Sequence, residues 1–227
     1  MNNVKYFVRT TKERPFSYNL EYKELIDLTH RPIESFLEQL EYIDSLGIDA
    51  VLLEDDLILC EDFTKCIEEA ISRFPNNIIN FYTWPDSYFE TRVGQHFQWN
   101  QCTYYPKGSI TNLVSEMRRL HEQDHKVPYD ELEAKAIWNL KLTYYEYRPC
   151  LVQHIGYKSL ISGINYTDTI YFKDYLDELS IDYSDEAAVK NNVSKLRSLL
   201  EKTRDTNGYP AVTWIKDNPK RRLLLTK

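Results

Sequence analysis

The chain has no apolar run approaching the roughly 18 residues of a membrane-spanning helix, so no membrane insertion is expected. No basic segment followed by an apolar core stands at its start, which argues against a secretory leader. No Cys-x-x-Cys pair occurs either: Cys60, Cys66, Cys102 and Cys150 are widely spaced. That spacing favours buried reduced thiols in a cytoplasmic protein over a disulfide framework or a zinc cluster. Internal repeats and low-complexity linkers are absent. With 227 residues, 42% of them hydrophobic, the chain is large enough for one sizeable domain and small for two. Its net charge of −7 argues against tight non-specific binding to nucleic acid, although a local basic face could override it. Tyrosine, in contrast, is abundant: eighteen residues suit partly buried core positions, or stacking on sugars and bases.

The chain is organised around one stretch. Ala50-Val51-Leu52-Leu53 runs straight into Glu54-Asp55-Asp56, and Leu57-Ile58-Leu59 follows. A continuous apolar run without alternation predicts a strand buried on both faces, as in a parallel α/β sheet. The three acids then lie at its carboxyl end, where open α/β sheets bind ligands. Adjacent carboxylates raise one another's pKa unless a cation or hydrogen-bond donors sit among them. The stretch points to a divalent metal site; the plainer alternative is a solvated acidic turn.

Around it the order of elements is strand, helix, acidic strand, the sequence of a β-α-β crossover. Val4 to Arg9 is rich in β formers and predicts the first strand, leaving Arg9, Thr10 and Thr11 at its end. A short second strand is expected around Glu24 to Leu28. Pro32 opens a helix with Ile33, Phe36, Leu37, Leu40 and Ile43 on one face, and Gly47 closes it. Further helices are expected over Glu61 to Phe74, Ser109 to Glu122, from Pro128-Tyr129-Asp130-Glu131 onward, and over Asp185 to Arg204. Strands are expected over Ile78 to Tyr82, Asn100 to Gly108, Thr143 to Tyr147, and Cys150 to His154. Trp84 to Trp99 is aromatic and irregular, the pattern of a functional loop. The fold class is α/β, a mostly parallel central sheet flanked by helices.

Several polar residues invite chemistry. Asp130 sits where an N-cap carboxylate would, which by itself accounts for an aspartate there. His121 and His125, four apart, could share a metal, but they stand at a polar helix end beside Glu122 and Asp124. A lone histidine after an apolar run, such as His154, is usually satisfied within a core. The chain ends in Lys216, Lys220, Arg221, Arg222 and Lys227, which form either a solvated basic tail or a patch that tracks phosphates.

Two motifs together resemble a known family. The strand ending in Leu53-Glu54-Asp55-Asp56, and the later Pro149-Cys150-Leu151-Val152-Gln153-His154-Ile155-Gly156-Tyr157-Lys158-Ser159, resemble elements of metal-dependent glycosyltransferases with the GT-A fold. The resemblance covers the layout of about residues 1–165, with 166–227 a helical and basic extension. It implies Mn²⁺ or Mg²⁺ held by Asp56 and His154, with Glu54 and Asp55 holding the metal's water or the donor's ribose and sugar. It also implies that Arg9 and Thr10 lie near the nucleotide of a nucleotide-sugar donor. Arg9 has the planar fork that suits oxyanions, although a surface role fits it equally. Gly156, Lys158 and Ser159 would face the diphosphate, and Asp130, or Glu131 in its place, would be the carboxylate that takes the acceptor's proton. The acceptors in such families include surface polysaccharides and, in bacteriophage enzymes, hydroxymethylated DNA bases. For DNA the basic C-terminal residues would provide contacts, and the host cytoplasm would be the setting. Two other classes remain open: a metal-dependent phosphotransfer enzyme (nucleotidyltransferase or nuclease), and a non-catalytic binding domain.

Overall fold

The computed structural model describes residues 4–13, 16–29, 31–82, 100–154, 169 and 171–203. Lys5–Thr10 (β1) and Tyr22–Ile26 (β2) run parallel to each other, and Pro32–Leu46 (α1) follows. Proline occupies the first turn of α1, where no N–H is needed, and Gly47 ends it in the left-handed conformation at φ 61°. Ala50–Glu54 (β3) returns parallel to β1 on the side away from β2, completing the expected crossover.

The apolar run beyond the acids forms a short strand of its own. Leu57–Leu59 (β4) leaves the main sheet after a bend and pairs elsewhere. Phe63–Arg73 (α2), Ile78–Asn80 (β5), Cys102–Tyr105 (β6), Ile110–Gln123 (α3), Tyr129–Asn139 (α4), Tyr144–Glu146 (β7) and Val152–His154 (β8) follow. The six-stranded sheet has the order β2-β1-β3-β6-β5-β7, and β6 alone runs antiparallel to its neighbours. The result is an α/β protein with a mixed, mostly parallel sheet flanked by helices.

Both faces of this sheet are covered, which is why β3 carries no alternation. Phe7, Ala50, Leu52, Ile78, Tyr105 and Tyr144 pack among α1, α3 and α4. Val8, Val51, Leu53, Ile79, Cys102 and Tyr104 pack on the opposite side, against α2 and the C-terminal helices. The two-residue period of a strand then carries a consequence for the polar ends. Arg9 shares the side of Phe7, Glu54 that of Leu52, and Thr103 that of Tyr105. Arg9 and Glu54 therefore meet α1 and α4 rather than α2.

Toward the C-terminus the structure departs from expectation in two places. Lys173–Glu178 (α5) forms within a stretch that shows no clear period, because Tyr175 and Leu176 are buried there as one short turn. The single helix expected over Asp185 to Arg204 is two, Glu186–Asn191 (α6) and Val193–Thr203 (α7). Asn192 interrupts them at φ −110°, and its side-chain amide donates to the Ala188 carbonyl at 2.8 Å. Asp185 caps α6 by accepting from the Ala187 and Ala188 amides, as Asp commonly does. All four cysteines are buried thiols outside any disulfide. No helix among the described residues is long and apolar enough to cross a membrane.

Candidate metal centre

The second, two-stranded sheet explains how a distant histidine reaches the acidic turn. β4 and β8 pair antiparallel with Leu57 opposite His154, so Asp56, one residue earlier, falls beside the imidazole. His154 Nε2 lies 3.2 Å from Asp56 Oδ2, and both side chains are almost wholly buried. Glu54, at the end of β3, completes the group: one donor atom from each of Glu54, Asp56 and His154 lies within 4.8 Å of the others. Among the described residues these three form the one such cluster. His121 and His125 pack edge to face at 4.8 Å, and His121 Nε2 is 4.0 Å from Glu34 Oε1, but no three-donor group forms there.

The donor set fits a cation. Imidazole with carboxylates suits Mn²⁺, and carboxylate oxygens alone suit Mg²⁺. Two donors held ~2.1 Å from one ion at right angles stand ~3.0 Å apart, near the Asp56–His154 spacing. Burial, and then the neighbouring Asp56, push the Glu54 carboxyl above its ordinary value. A positive charge among these groups would relieve both effects.

Two phenols hold the turn in shape. Tyr18, buried, donates to the Glu54 carbonyl at 2.5 Å and accepts from the Leu57 amide at 3.2 Å, so one hydroxyl spans the acidic turn. Tyr129, the first residue of α4, donates to Glu54 Oε1 at 2.7 Å. Burial, followed by the Glu54 charge, keeps the Tyr129 phenol protonated well above its ordinary range. Arg9 stands behind them. Its guanidinium lies over the Phe36 and Tyr129 rings at 4.5 and 4.6 Å, its Nε donates to Gln39 Oε1 at 2.9 Å, and Nη1 is 3.7 Å from Glu54 Oε1. From that position the guanidinium charge draws the Glu54 carboxyl down, against the effects of burial and of Asp56.

The other expected site residues fall as follows. Thr10 is buried, its hydroxyl accepting from the Lys12 amide, and Asp55 lies half-buried in the turn between Glu54 and Asp56. Asp130 is not the helix cap: α4 begins at Tyr129 with Pro128 at the cap, so Asp130 lies inside the first turn. It is half-buried, and burial raises its carboxyl above the ordinary value although the Glu131 and Asp130 amides donate to it. Glu131 is exposed and stands 3.9 Å from Lys135 across one helical turn. Gly156, Lys158, Ser159, the loop Trp84 to Trp99 and the basic C-terminal residues lie outside the described residues.

Gln153 has a structural task of its own. Its buried amide donates to the Thr169 carbonyl at 2.9 Å and accepts from the Thr169 amide at 3.0 Å. A side chain thereby acts as a strand partner and anchors the chain on both sides of residues 155–168.

Tyr18 and Tyr129 are not legible in the sequence as site residues, and neither is the burial of Glu133. Glu133 is fully buried, accepting from Tyr105 at 2.7 Å and from Asn100 at 2.9 Å. The signal was present in the spacing, because Tyr129, Glu133 and Ala136 share one helical face and Glu133 interrupts its apolar stripe. Burial, partly offset by those two hydrogen bonds, pushes its carboxyl up to about 7. The folded chain then holds a proton that the unfolded chain releases near pH ~4.3. Stability from this group is complete at lower pH and is lost as pH rises through about 7. Glu133→Gln is therefore expected to gain on the order of 1–3 kcal/mol over wild type at pH 8 and almost nothing at pH 4. Denaturant titrations of both proteins at the two pH values check this, and an unchanged pH slope in the variant would refute it.

Comparison with protein-family models and with curated proteins returns no match. The functional reading therefore rests on the geometry and chemistry of the site.

Proposed function

We propose that the chain is a metal-dependent glycosyltransferase of GT-A-like architecture that moves a sugar from a nucleoside-diphosphate sugar to an acceptor hydroxyl. The observation that carries this reading is the convergence of Glu54, Asp56 and His154 at the carboxyl end of a doubly covered strand. Asp56 and His154 would hold Mn²⁺ or Mg²⁺, with Glu54 as third donor. The ion supplies Lewis-acid stabilisation of the charge that gathers on the leaving diphosphate. Arg9 fixes Glu54 and offsets part of the acidic charge, a different task from the direct phosphate contact expected of an exposed arginine. Asp130 takes the proton of the acceptor hydroxyl as its oxygen bonds to the anomeric carbon and the anomeric carbon–phosphate oxygen bond breaks. Its raised pKa suits a base better than exposed, lysine-paired Glu131 does.

The donor implies a cytoplasmic setting, the host's if the protein is phage-encoded. Acceptors consistent with the reading are a surface glycan and a hydroxymethylated DNA base, the latter through the basic C-terminal residues. A phosphotransfer site with two metals calls for several carboxylates on separate strands. Here the described cluster has three donors, and Glu54 Oε1 already accepts from Tyr129, which favours a single ion.

Thermal melts with Mn²⁺ and a panel of nucleoside diphosphates and nucleotide-sugars test the proposal. A ligand at a hundred times its Kd stabilises by ~2.7 kcal/mol, roughly 5–10 °C for a chain of this length. One nucleotide should stand out from the panel. No shift with any nucleotide would overturn the donor site.

A further inference from the structure

The hydrogen bond between Glu54 and Tyr129 joins two parts of the site that are far apart in sequence. Glu54 belongs to the metal centre. Tyr129 is the residue immediately before Asp130 and opens the helix that carries Asp130 and Glu131. Its ring is not free to swing: the Arg9 guanidinium lies over it at 4.6 Å, and Phe36 packs against it at 5.1 Å. Arg9 is itself tied to Gln39, which donates to the Leu25 carbonyl at 3.2 Å and to Ser35 Oγ at 3.1 Å.

A carboxylate is a rigid plane, so turning one oxygen toward a cation swings the other. With Oε1 bonded to Tyr129, that rotation loads the phenol. With the ring packed against both Arg9 and Phe36, the load passes to the backbone of the first turn of α4. Pro128 provides no side-chain cap for that turn, and the amides of Asp130 and Glu131 donate to the Asp130 carboxylate instead.

We propose that Tyr129 is a positioning residue that couples the metal centre to the first turn of α4, so that seating a divalent cation on Glu54, Asp56 and His154 orders the segment carrying Asp130 and Glu131. The coupling rests on the metal reading given under the proposed function and extends it: cation binding and placement of the base become one event. Binding of the cation then precedes full assembly of the proton acceptor.

Amide hydrogen exchange with and without Mn²⁺, on wild type and Tyr129→Phe, tests the coupling, with Mn²⁺ affinity measured by calorimetry. Phenylalanine keeps the ring beneath Arg9 and removes only the hydroxyl. In wild type, Mn²⁺ should slow exchange several-fold both at residues 54–57 and at residues 129–134. In Tyr129→Phe, protection at residues 54–57 should remain, protection at residues 129–134 should vanish, and Mn²⁺ affinity should fall ~10-fold, as for other outer partners of metal ligands. A purely structural role would lower the melting temperature without making α4 insensitive to Mn²⁺. Wild type that binds Mn²⁺ without protecting residues 129–134 overturns the coupling alone, and does so even if the variant fails to fold. Equal protection in the two proteins overturns it as well. Wild type that binds no divalent cation overturns the metal centre, and the coupling with it.

Discussion

Asp56→Ala is expected to abolish the Mn²⁺-dependent rise in melting temperature and to lower glycosyl transfer at least ~10³-fold. The magnitude follows from what a metal supplies at a leaving diphosphate, several kcal/mol of transition-state stabilisation, with ~1.36 kcal/mol for each factor of ten. Asp56 is the donor with least to replace it: its carboxylate is buried, it lies 3.2 Å from His154, and Glu54 already accepts from Tyr129. Stability without metal should change little, because loss of the 3.2 Å contact with His154 is set against a second effect. Asp56 is among the groups that push the Glu54 carboxyl up, so its removal relieves repulsion between two buried acids. The metal-free variant should therefore melt near the wild-type temperature while losing the metal response. His154→Ala should also lose the response, but it removes a buried ring and leaves a cavity, so its metal-free form should melt lower. Calorimetric titration with Mn²⁺ and melts with and without the ion measure both quantities. Wild-type Mn²⁺ affinity in Asp56→Ala would sink the assignment of Asp56 as a ligand.

Much of this centre is visible in the chain because its two halves are local. Val51 to Leu53 is apolar on every residue only because helices cover both sides of β3, and that run alone places the acids at a strand end. His154 by itself reads as a core histidine after an apolar run, and only the resemblance of the motif around it marks it as a ligand. Their adjacency is a different matter. It depends on β4 leaving the main sheet and pairing with β8, a register between residues about a hundred positions apart that no local pattern encodes. The supporting residues were hidden for a related reason. Tyr18 and Tyr129 are two of many tyrosines, and only the folded chain separates the hydroxyls that grip Glu54 from those that fill space. Arg9 reads in the sequence as a side chain open to a ligand, because its neighbours there give no hint of Phe36, Gln39 and Tyr129 closing around it. Asp130 is displaced from the expected cap by a two-residue step: Pro128, with its fixed φ, takes the cap, Tyr129 the first helical position and Asp130 the second.

That step matters for the second large effect. Asp130→Asn is expected to lower kcat by ~10²–10⁴-fold while leaving Mn²⁺ and donor binding nearly unchanged. Asparagine keeps the size of the side chain and an oxygen that can accept from the first-turn amides, but it cannot take a proton. The pH dependence supplies a second signature. Burial raises the Asp130 carboxyl, so in wild type the rate should fall as pH drops through that raised value, where the base becomes protonated. In Asp130→Asn this acid limb should disappear and leave a low, flatter profile. Glu131→Gln should change kcat by less than ~3-fold, since its side chain is exposed and faces Lys135 rather than a buried site. Steady-state rates over pH for the two variants, with donor binding measured separately, decide between the neighbours. If Glu131→Gln loses activity and Asp130→Asn keeps it, the roles are reversed. If both keep it, the acceptor's proton leaves by a route that does not involve the start of α4.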